Sequence, residues 1–231
     1  MTKTILLTGA TSGIGKAVAL LLSNAGHQLI LVGRNEQKMQ QLREEIKAAP
    51  KLPLFYHTDL SDLPQIKPLC EDILSKINQL DILINCAGAN ISRGPLSQIP
   101  LTDLDYMMKL NCYAPLQLSQ AFYPLLKESK GIILNILSTV CKYANENIGG
   151  YTVSKGAMDH LSAVMRKEAR RDGIKVCNLY PGGVDTDFRA AECPEYLQAK
   201  SVAKAIQEMI SLPKDIVPHE FIIRPMVEEN F

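Results

Sequence analysis

The sequence predicts a doubly wound α/β fold: one parallel sheet of seven strands with helices on both faces. Short apolar runs alternate with helix-period segments from one end of the chain to the other, the pattern of successive βα units. The runs are near-continuous in Ile, Leu and Val, as strands buried on both faces require. No composition shift, linker, low-complexity tract or internal repeat divides residues 1–231, so a single domain is expected.

The strands are expected in order near 4–8, 28–32, 54–58, 82–85, 131–137, 175–180 and 221–224. Each ends in a polar or glycine-bearing turn, and helices fill the gaps near 15–25, 36–47, 65–77, 102–126, 151–171 and 201–210. In this fold class ligands lie beyond the carboxyl ends of the strands, so those turns hold the candidate site.

Composition removes several function classes. At 231 residues the chain can bury roughly 70% of its unfolded surface without a disulfide or metal. A net charge of +1 supplies no field for nucleic acid or anionic lipid. The six cysteines are far apart with no Cys-x-x-Cys pair, and Ile5-Leu6-Leu7 breaks at Thr8-Gly9, short of a leader or a membrane span. A cytoplasmic protein with reduced thiols is expected, with no membrane or nucleic-acid partner. The four histidines are scattered, so no metal site is expected.

The first strand runs into Thr8-Gly9-Ala10-Thr11-Ser12-Gly13-Ile14-Gly15, after which Lys16 to Leu22 begins a helix. Unpaired N–H groups and the dipole at that helix start favour a pyrophosphate. The spacing is Gly-x-x-x-Gly-x-Gly, and Ala17 stands where a P-loop needs Ser or Thr, which argues against an NTPase. Lys16 is read as a solvated surface charge. Strand two ends in Gly33-Arg34-Asn35, with no carboxylate to repel a ribose 2′-phosphate and a guanidinium to bind one. NADP(H) is expected over NAD(H). After strand three, Asp59-Leu60 can meet the adenine, or Asp59 can cap the following turn. Asn85, Ala87 and Gly88, in Asn85-Cys86-Ala87-Gly88, close strand four beside the cofactor.

Tyr151 and Lys155 stand four apart on one helix face. Two other pairs share that spacing, Tyr123 with Lys127 and Tyr196 with Lys200. Only Tyr151 follows a strand ending in a hydroxyl, in Asn135-Ile136-Leu137-Ser138. Ser138 and Tyr151 can therefore converge on a substrate oxygen. A tyrosine titrating near 10 is a poor acid or base at neutral pH, and a lysine cation close by favours its phenolate. Ser138 can hydrogen-bond the oxygen where charge develops. Asn111 precedes Pro115 by four residues. Proline has no N–H, so the Asn111 carbonyl is expected to lose its helix partner and can hold a water.

In order and spacing, residues 3–186 resemble the short-chain dehydrogenase/reductase family. The residues that carry the resemblance are the loop from Thr8 to Gly15, Asn85-Cys86-Ala87-Gly88, Asn111, Ser138, Tyr151-Thr152-Val153-Ser154-Lys155 and Pro181-Gly182. The resemblance implies a Rossmann domain in which Tyr151 is the general acid or base. It implies that Lys155 binds the nicotinamide ribose, Ser138 orients the substrate and Asn111 supports a proton-relay water. Pro181, Gly182, Val184 and Thr186 would line the nicotinamide end. It also implies a homodimer or homotetramer through the helices at 102–126 and 151–171. Cys86 departs from the family's more common asparagine. Only fourteen residues separate Thr186 from Ser201, so an open or small substrate pocket is expected.

The reading is an NADP(H)-dependent alcohol dehydrogenase or carbonyl reductase acting on a small-molecule carbonyl or alcohol. One alternative is a dehydrogenase of a small 3-hydroxy acid or hydroxyamino acid, with Arg93, Lys142 or Arg189 pairing the carboxylate. Another is a non-catalytic NADP(H)-binding redox sensor.

Overall fold

The structure, a computed structural model, describes residues 2–188 and 192–229. Seven strands form one parallel sheet: β1 (Thr4–Thr8), β2 (Gln28–Gly33), β3 (Leu54–His57), β4 (Ile82–Asn85), β5 (Ile132–Ile136), β6 (Lys175–Pro181) and β9 (Glu220–Ile223). Their order is β3-β2-β1-β4-β5-β6-β9. All seven expected strands are present with ends shifted by a few residues at most.

Successive side chains of a strand face opposite ways, and both faces of this sheet are apolar. Ile5, Leu7, Leu29 and Leu31 pack on one side with α1 (Gly13–Asn24), α2 (Glu36–Ile46) and α7 (Ala199–Ser211). Leu6, Ile30 and Val32 pack on the other with α3 (Ile66–Lys76), α5 (Ala114–Ser129) and α6 (Gly149–Ala169). Helix α7 shows the amphipathic rule plainly: Val202, Ala203, Ile206, Met209 and Ile210 are its buried stripe.

Two features were not foreseen. The long helix expected at 102–126 is broken into α4 (Leu101–Met108), a π turn (Lys109–Tyr113) and α5. Ala114 N–H donates to the Lys109 carbonyl, five residues back. The irregularity that Pro115 imposes thus takes the form of a widened turn, with Pro115 itself in the first turn of α5. The second feature is a separate parallel pair of two-residue strands, β7 (Val184–Asp185) and β8 (Leu197–Gln198), in the segment before α7.

The sheet order reverses between β1 and β4, the place where ligands bind in folds of this class. Beneath that point the strands share a polar rung. Asn85, Asn135 and Asn178 are in register on β4, β5 and β6. Asn85 Nδ2 donates to Asn135 Oδ1 at 2.9 Å, and Asn135 Nδ2 donates to Asn178 Oδ1 at 3.2 Å. Such a network fixes the relative height of the strand ends that carry the site.

Among the described residues no helix is long and apolar enough to cross a membrane, and no group of three potential ligands for a metal is present.

Candidate active site

The carboxyl ends of β1, β4, β5 and β6 open into a cleft of about 910 Å³. Its floor begins at the glycine loop, where Gly9, Ser12, Gly13, Ile14 and Gly15 line the wall. Gly9 has φ +68°, and a Cβ there would fall 2.8 Å from Ala87 Cα. The side-chain-free backbone therefore leaves the cradle open. Thr8 Oγ1 accepts from the N–H groups of Cys86 and Ala87, both at 3.0 Å, which ties the end of β1 to the turn after β4. Ser12 stands at the N-cap of α1 without making a side-chain cap. No side chain of Ser12 occupies the first-turn amides of a helix start that lines the cleft, and such a start can take an anion. Lys16 is a surface charge, as expected, and pairs with Glu45 at 2.7 Å.

A smaller recess of about 220 Å³ adjoins the loop, lined by Thr11, Arg34, Asp59 and Leu60. Asn35 caps α2 by accepting from Lys38 N–H at 2.8 Å, which sets Arg34 at the rim just before the helix. The Arg34 guanidinium donates to the Tyr106 hydroxyl. Asp59 does cap its turn: its Oδ1 accepts from Ser61 N–H at 2.9 Å and Ser61 Oγ at 2.7 Å. It lines the recess as well. Lys38, which the sequence reading missed, lines both cavities. It lies one helical turn beyond Arg34, a signal that was available. Its ammonium pairs with Asp187 at 2.8 Å and, by that hydrogen bond, holds the Asp187 carboxyl below its usual range.

The chemistry-bearing side chains come from β5 and α6. Tyr151 and Lys155 stand one turn apart on α6, and both line the cleft with Ser138, which follows β5. Ser138 Oγ accepts from Val140 N–H at 3.3 Å, opening the 3₁₀ turn Thr139–Cys141. Lys155 is buried and donates to the Ile136 carbonyl at 2.8 Å. Its pKa is lowered, chiefly because burial penalises the cation. The Tyr151 ring meets Phe188 at a tilted 5.8 Å. Pro181, Gly182, Val184 and Thr186 complete the wall opposite the glycine loop.

A glycine cradle, a capless helix start and a Tyr, Lys and Ser set thus share one cleft. A sequence profile described as short chain dehydrogenase matches residues 3–196. The chain belongs to the short-chain dehydrogenase family. It is 30% identical over 230 residues to an uncharacterized oxidoreductase of Staphylococcus epidermidis, with 97% of each chain covered. An alcohol dehydrogenase of the archaeon Thermococcus sibiricus, solved with 5-hydroxy-NADP, superposes with TM-score 0.92 at 24% identity over 99% of both chains. A metagenomic short-chain oxidoreductase solved with NADP superposes with TM-score 0.85 at 28% identity, over 97% of this chain and 98% of that one. This protein is accordingly an oxidoreductase of a nicotinamide-binding family with a Rossmann-type fold.

Two residues expected in the short-chain dehydrogenase site do not line the cleft. Asn85 lies beneath it, bonded to Asn135. Asn111 is 1% exposed in the π turn. Its Oδ1 accepts from Ala89 N–H, and its Nδ2 donates to the Ala89 carbonyl and to Ser154 Oγ, all at 2.9 Å. These bonds fasten the turn after β4 to α6. A Cβ on Gly88 would lie 3.1 Å from both Asn111 Oδ1 and Lys155 Nζ, so the two side chains converge behind that turn. The Asn111 side chain is thus committed to the turn after β4 and to α6.

The loop cations divide three ways. Arg93 lines the cleft. Lys142 is committed elsewhere, to Glu220 at 3.0 Å and Asp159 at 3.5 Å, and lies over the Tyr180 ring at 4.5 Å. That removes Lys142 as a carboxylate partner, because its charge is already neutralised. Arg189 lies outside the described residues. Of the open or small pocket expected after Thr186, the described residues give an open cleft, with Phe188 and Tyr196 on its wall. The other Tyr–Lys pairs are not equivalents. Tyr123 and Lys127 both bond Asp172, and Lys200 is exposed on α7 although Tyr196 reaches the cleft.

Proposed function

We propose that this protein is an NADP(H)-dependent carbonyl reductase or alcohol dehydrogenase using Tyr151, Ser138 and Lys155. The observation that carries the reading is that these three side chains line the same cleft as the α1 amino terminus and the glycine loop. Gly9, Ser12, Gly13, Ile14 and Gly15 would hold the diphosphate, with Ala87 and Gly88 beside it. Thr11, Asp59 and Leu60 would line the adenosine end, and Pro181, Gly182, Val184 and Thr186 the nicotinamide end. Arg34 would take the 2′-phosphate, since no carboxylate stands at the end of β2. When bound, the nicotinamide supplies a hydride to the carbonyl carbon or takes one from the alcohol.

The chain's own part is proton chemistry and charge stabilisation. The Tyr151 phenol gives its proton to the substrate oxygen in reduction and recovers it in oxidation. Ser138 Oγ–H donates to the same oxygen as negative charge grows there. The Lys155 cation, fixed by the Ile136 carbonyl, favours the phenolate and so eases proton release. Burial makes the lysine's own proton easier to lose, which suits a step in resupplying the phenol.

Arg93 favours a second reading of the substrate. It lines the cleft and has no ion-pair partner among the described residues. A carboxylate-bearing substrate such as a small 3-hydroxy acid fits that charge, and Arg93→Ala should then raise KM for acids and not for neutral carbonyls.

Assembly as a homodimer or homotetramer through the helices around α5 and α6 is supported by three exposed apolar side chains: Tyr113 (41%), Val153 (49%) and Val164 (55%). The six free cysteines support a reducing cytoplasmic setting.

The test is cofactor consumption by the wild-type protein with a panel of aldehydes, ketones and 3-oxo acids. NADPH should be consumed with at least one of them, preferred over NADH by about tenfold or more in kcat/KM. A preference for NADH overturns the cofactor assignment. Binding of NADPH without consumption across the panel leaves the redox-sensor alternative.

A further inference from the structure

After β9 the chain turns back, and Val227, Glu228 and Glu229 line the same cleft as Tyr151. The Glu228 side chain is 14% exposed, and both of its oxygens are engaged. Oε1 accepts from the Gly183 N–H at 2.6 Å, and Oε2 lies 3.3 Å from Arg224 Nη1. Arg224 in turn sits over the Tyr143 ring, 4.7 Å from its centroid. One carboxylate thus ties the turn after β6 to the 224–228 segment and, through Arg224, to the loop after β5.

The approach to Gly182 is also close. A Cβ on Gly182 would meet Glu228 Oε2 at 2.2 Å, Glu228 Cδ at 3.0 Å and Pro225 Cδ at 3.2 Å. All three nearest atoms belong to the 225–228 segment. A side chain at 182 would therefore have to displace the carboxylate packed against it, and with it the bond to Gly183, whatever the cleft holds. The half-buried carboxylate has one oxygen on the main chain of the cleft wall, at Gly183 N–H, and the other on the Arg224 side chain.

We infer that Glu228 is a positioning residue for the turn Pro181–Gly182–Gly183, fixing the backbone that forms the nicotinamide end of the cleft. The assignment of that end rests on the proposed function; the Glu228 contacts do not. Nothing local in the sequence marks the residue, because 45 positions separate it from Gly183.

The experiment is a mutant cycle read by NADPH affinity and by hydrogen exchange at the Gly183 amide. Glu228→Ala should weaken NADPH binding about tenfold and accelerate Gly183 exchange, while Glu228→Gln, which keeps an acceptor oxygen, should recover most of both. Gly182→Ala should cost about tenfold in the wild-type background but less than about twofold in Glu228→Ala, where the added methyl has room. Additive effects would mean that the carboxylate does not constrain the backbone at 182, and additivity overturns the inference. So does wild-type exchange at Gly183 in Glu228→Ala. Should that variant not fold, Glu228→Asp takes its place, since withdrawing the carboxylate by one methylene must likewise relieve Gly182→Ala. If wild type fails to bind NADPH, the cofactor reading falls, and Gly183 exchange alone then decides the role of Glu228.

Discussion

Helices α5 and α6 each carry a tyrosine followed four residues later by a lysine, in surroundings that differ in one chemical respect. Tyr123 donates to Asp172 Oδ2 at 2.8 Å, and Lys127 pairs with Asp172 Oδ1 at 2.8 Å. The carboxylate absorbs the cation, and burial together with Asp172 pushes the Tyr123 phenol up to about 12. Lys155 instead meets a neutral carbonyl, that of Ile136 at 2.8 Å, and its charge is left for the cleft. Spacing by four places two side chains on one face. What stands beside them decides whether the lysine's charge is spent on a carboxylate or left for the cleft.

The largest effect should come from deleting each pair whole. Tyr151→Phe with Lys155→Met should cut kcat/KM by about 10³-fold or more, less than the product of the single losses because the two act as a unit. Tyr123→Phe with Lys127→Met should leave it within about twofold. Equal losses from the two double variants would erase the distinction.

Lys155 alone should matter through its charge. Burial lowers its pKa from the ordinary 10.5, so the cation is lost as pH rises through a value below that. Reduction by wild type should decline on the alkaline side before 10.5 is reached, and Lys155→Arg, whose charge persists, should move that decline upward. The stability sign is opposite: the fold bears the cost of the buried cation at low pH and is relieved as pH rises toward the unfolded lysine's value. Lys155→Ala should lower kcat by about 10²-fold near neutrality, with Lys127→Ala as the unaffected control.

Arg34 tests the far end of the cleft. Arg34→Ala should raise KM for NADPH by about tenfold and leave KM for NADH almost unchanged, measured with one carbonyl substrate. The smallest effect belongs to Asp172. Lys127 foremost, then Tyr123, hold its carboxyl below the usual 3.8, so its contribution is present above that pH and lost as pH falls further. Asp172→Asn should lower Tm by no more than about 2 °C, and should move the Tyr123 phenol down from about 12, leaving turnover intact.

The sheet and the helix layers were legible because strands buried on both faces must be nearly all apolar, and β1, with Ile5, Leu6 and Leu7, is. The glycine loop was legible for the same kind of reason, since its spacing is fixed by local backbone geometry. Residues whose position depends on distant partners were not. Asn111 could be flagged by Pro115, but not the fact that its side chain would be spent on Ala89 and Ser154. Lys142 could be identified as a loop cation, but its acidic partners come from α6 and β9. Glu228 reaches Gly183 only because β9 pairs with β6 and returns the chain over the strand ends. Contacts of long sequence separation leave no periodicity to read.

The central claim is that Tyr151 supplies the proton and does not merely shape the binding site. Its most direct test is Tyr151→Phe, with the NADPH dissociation constant and the single-turnover rate of NADPH oxidation measured on the same preparation. The account expects the dissociation constant to stay within about threefold of wild type and the rate to fall by about 10²-fold or more. A variant that turns over at the wild-type rate, or whose loss is fully explained by weaker NADPH binding, would contradict it.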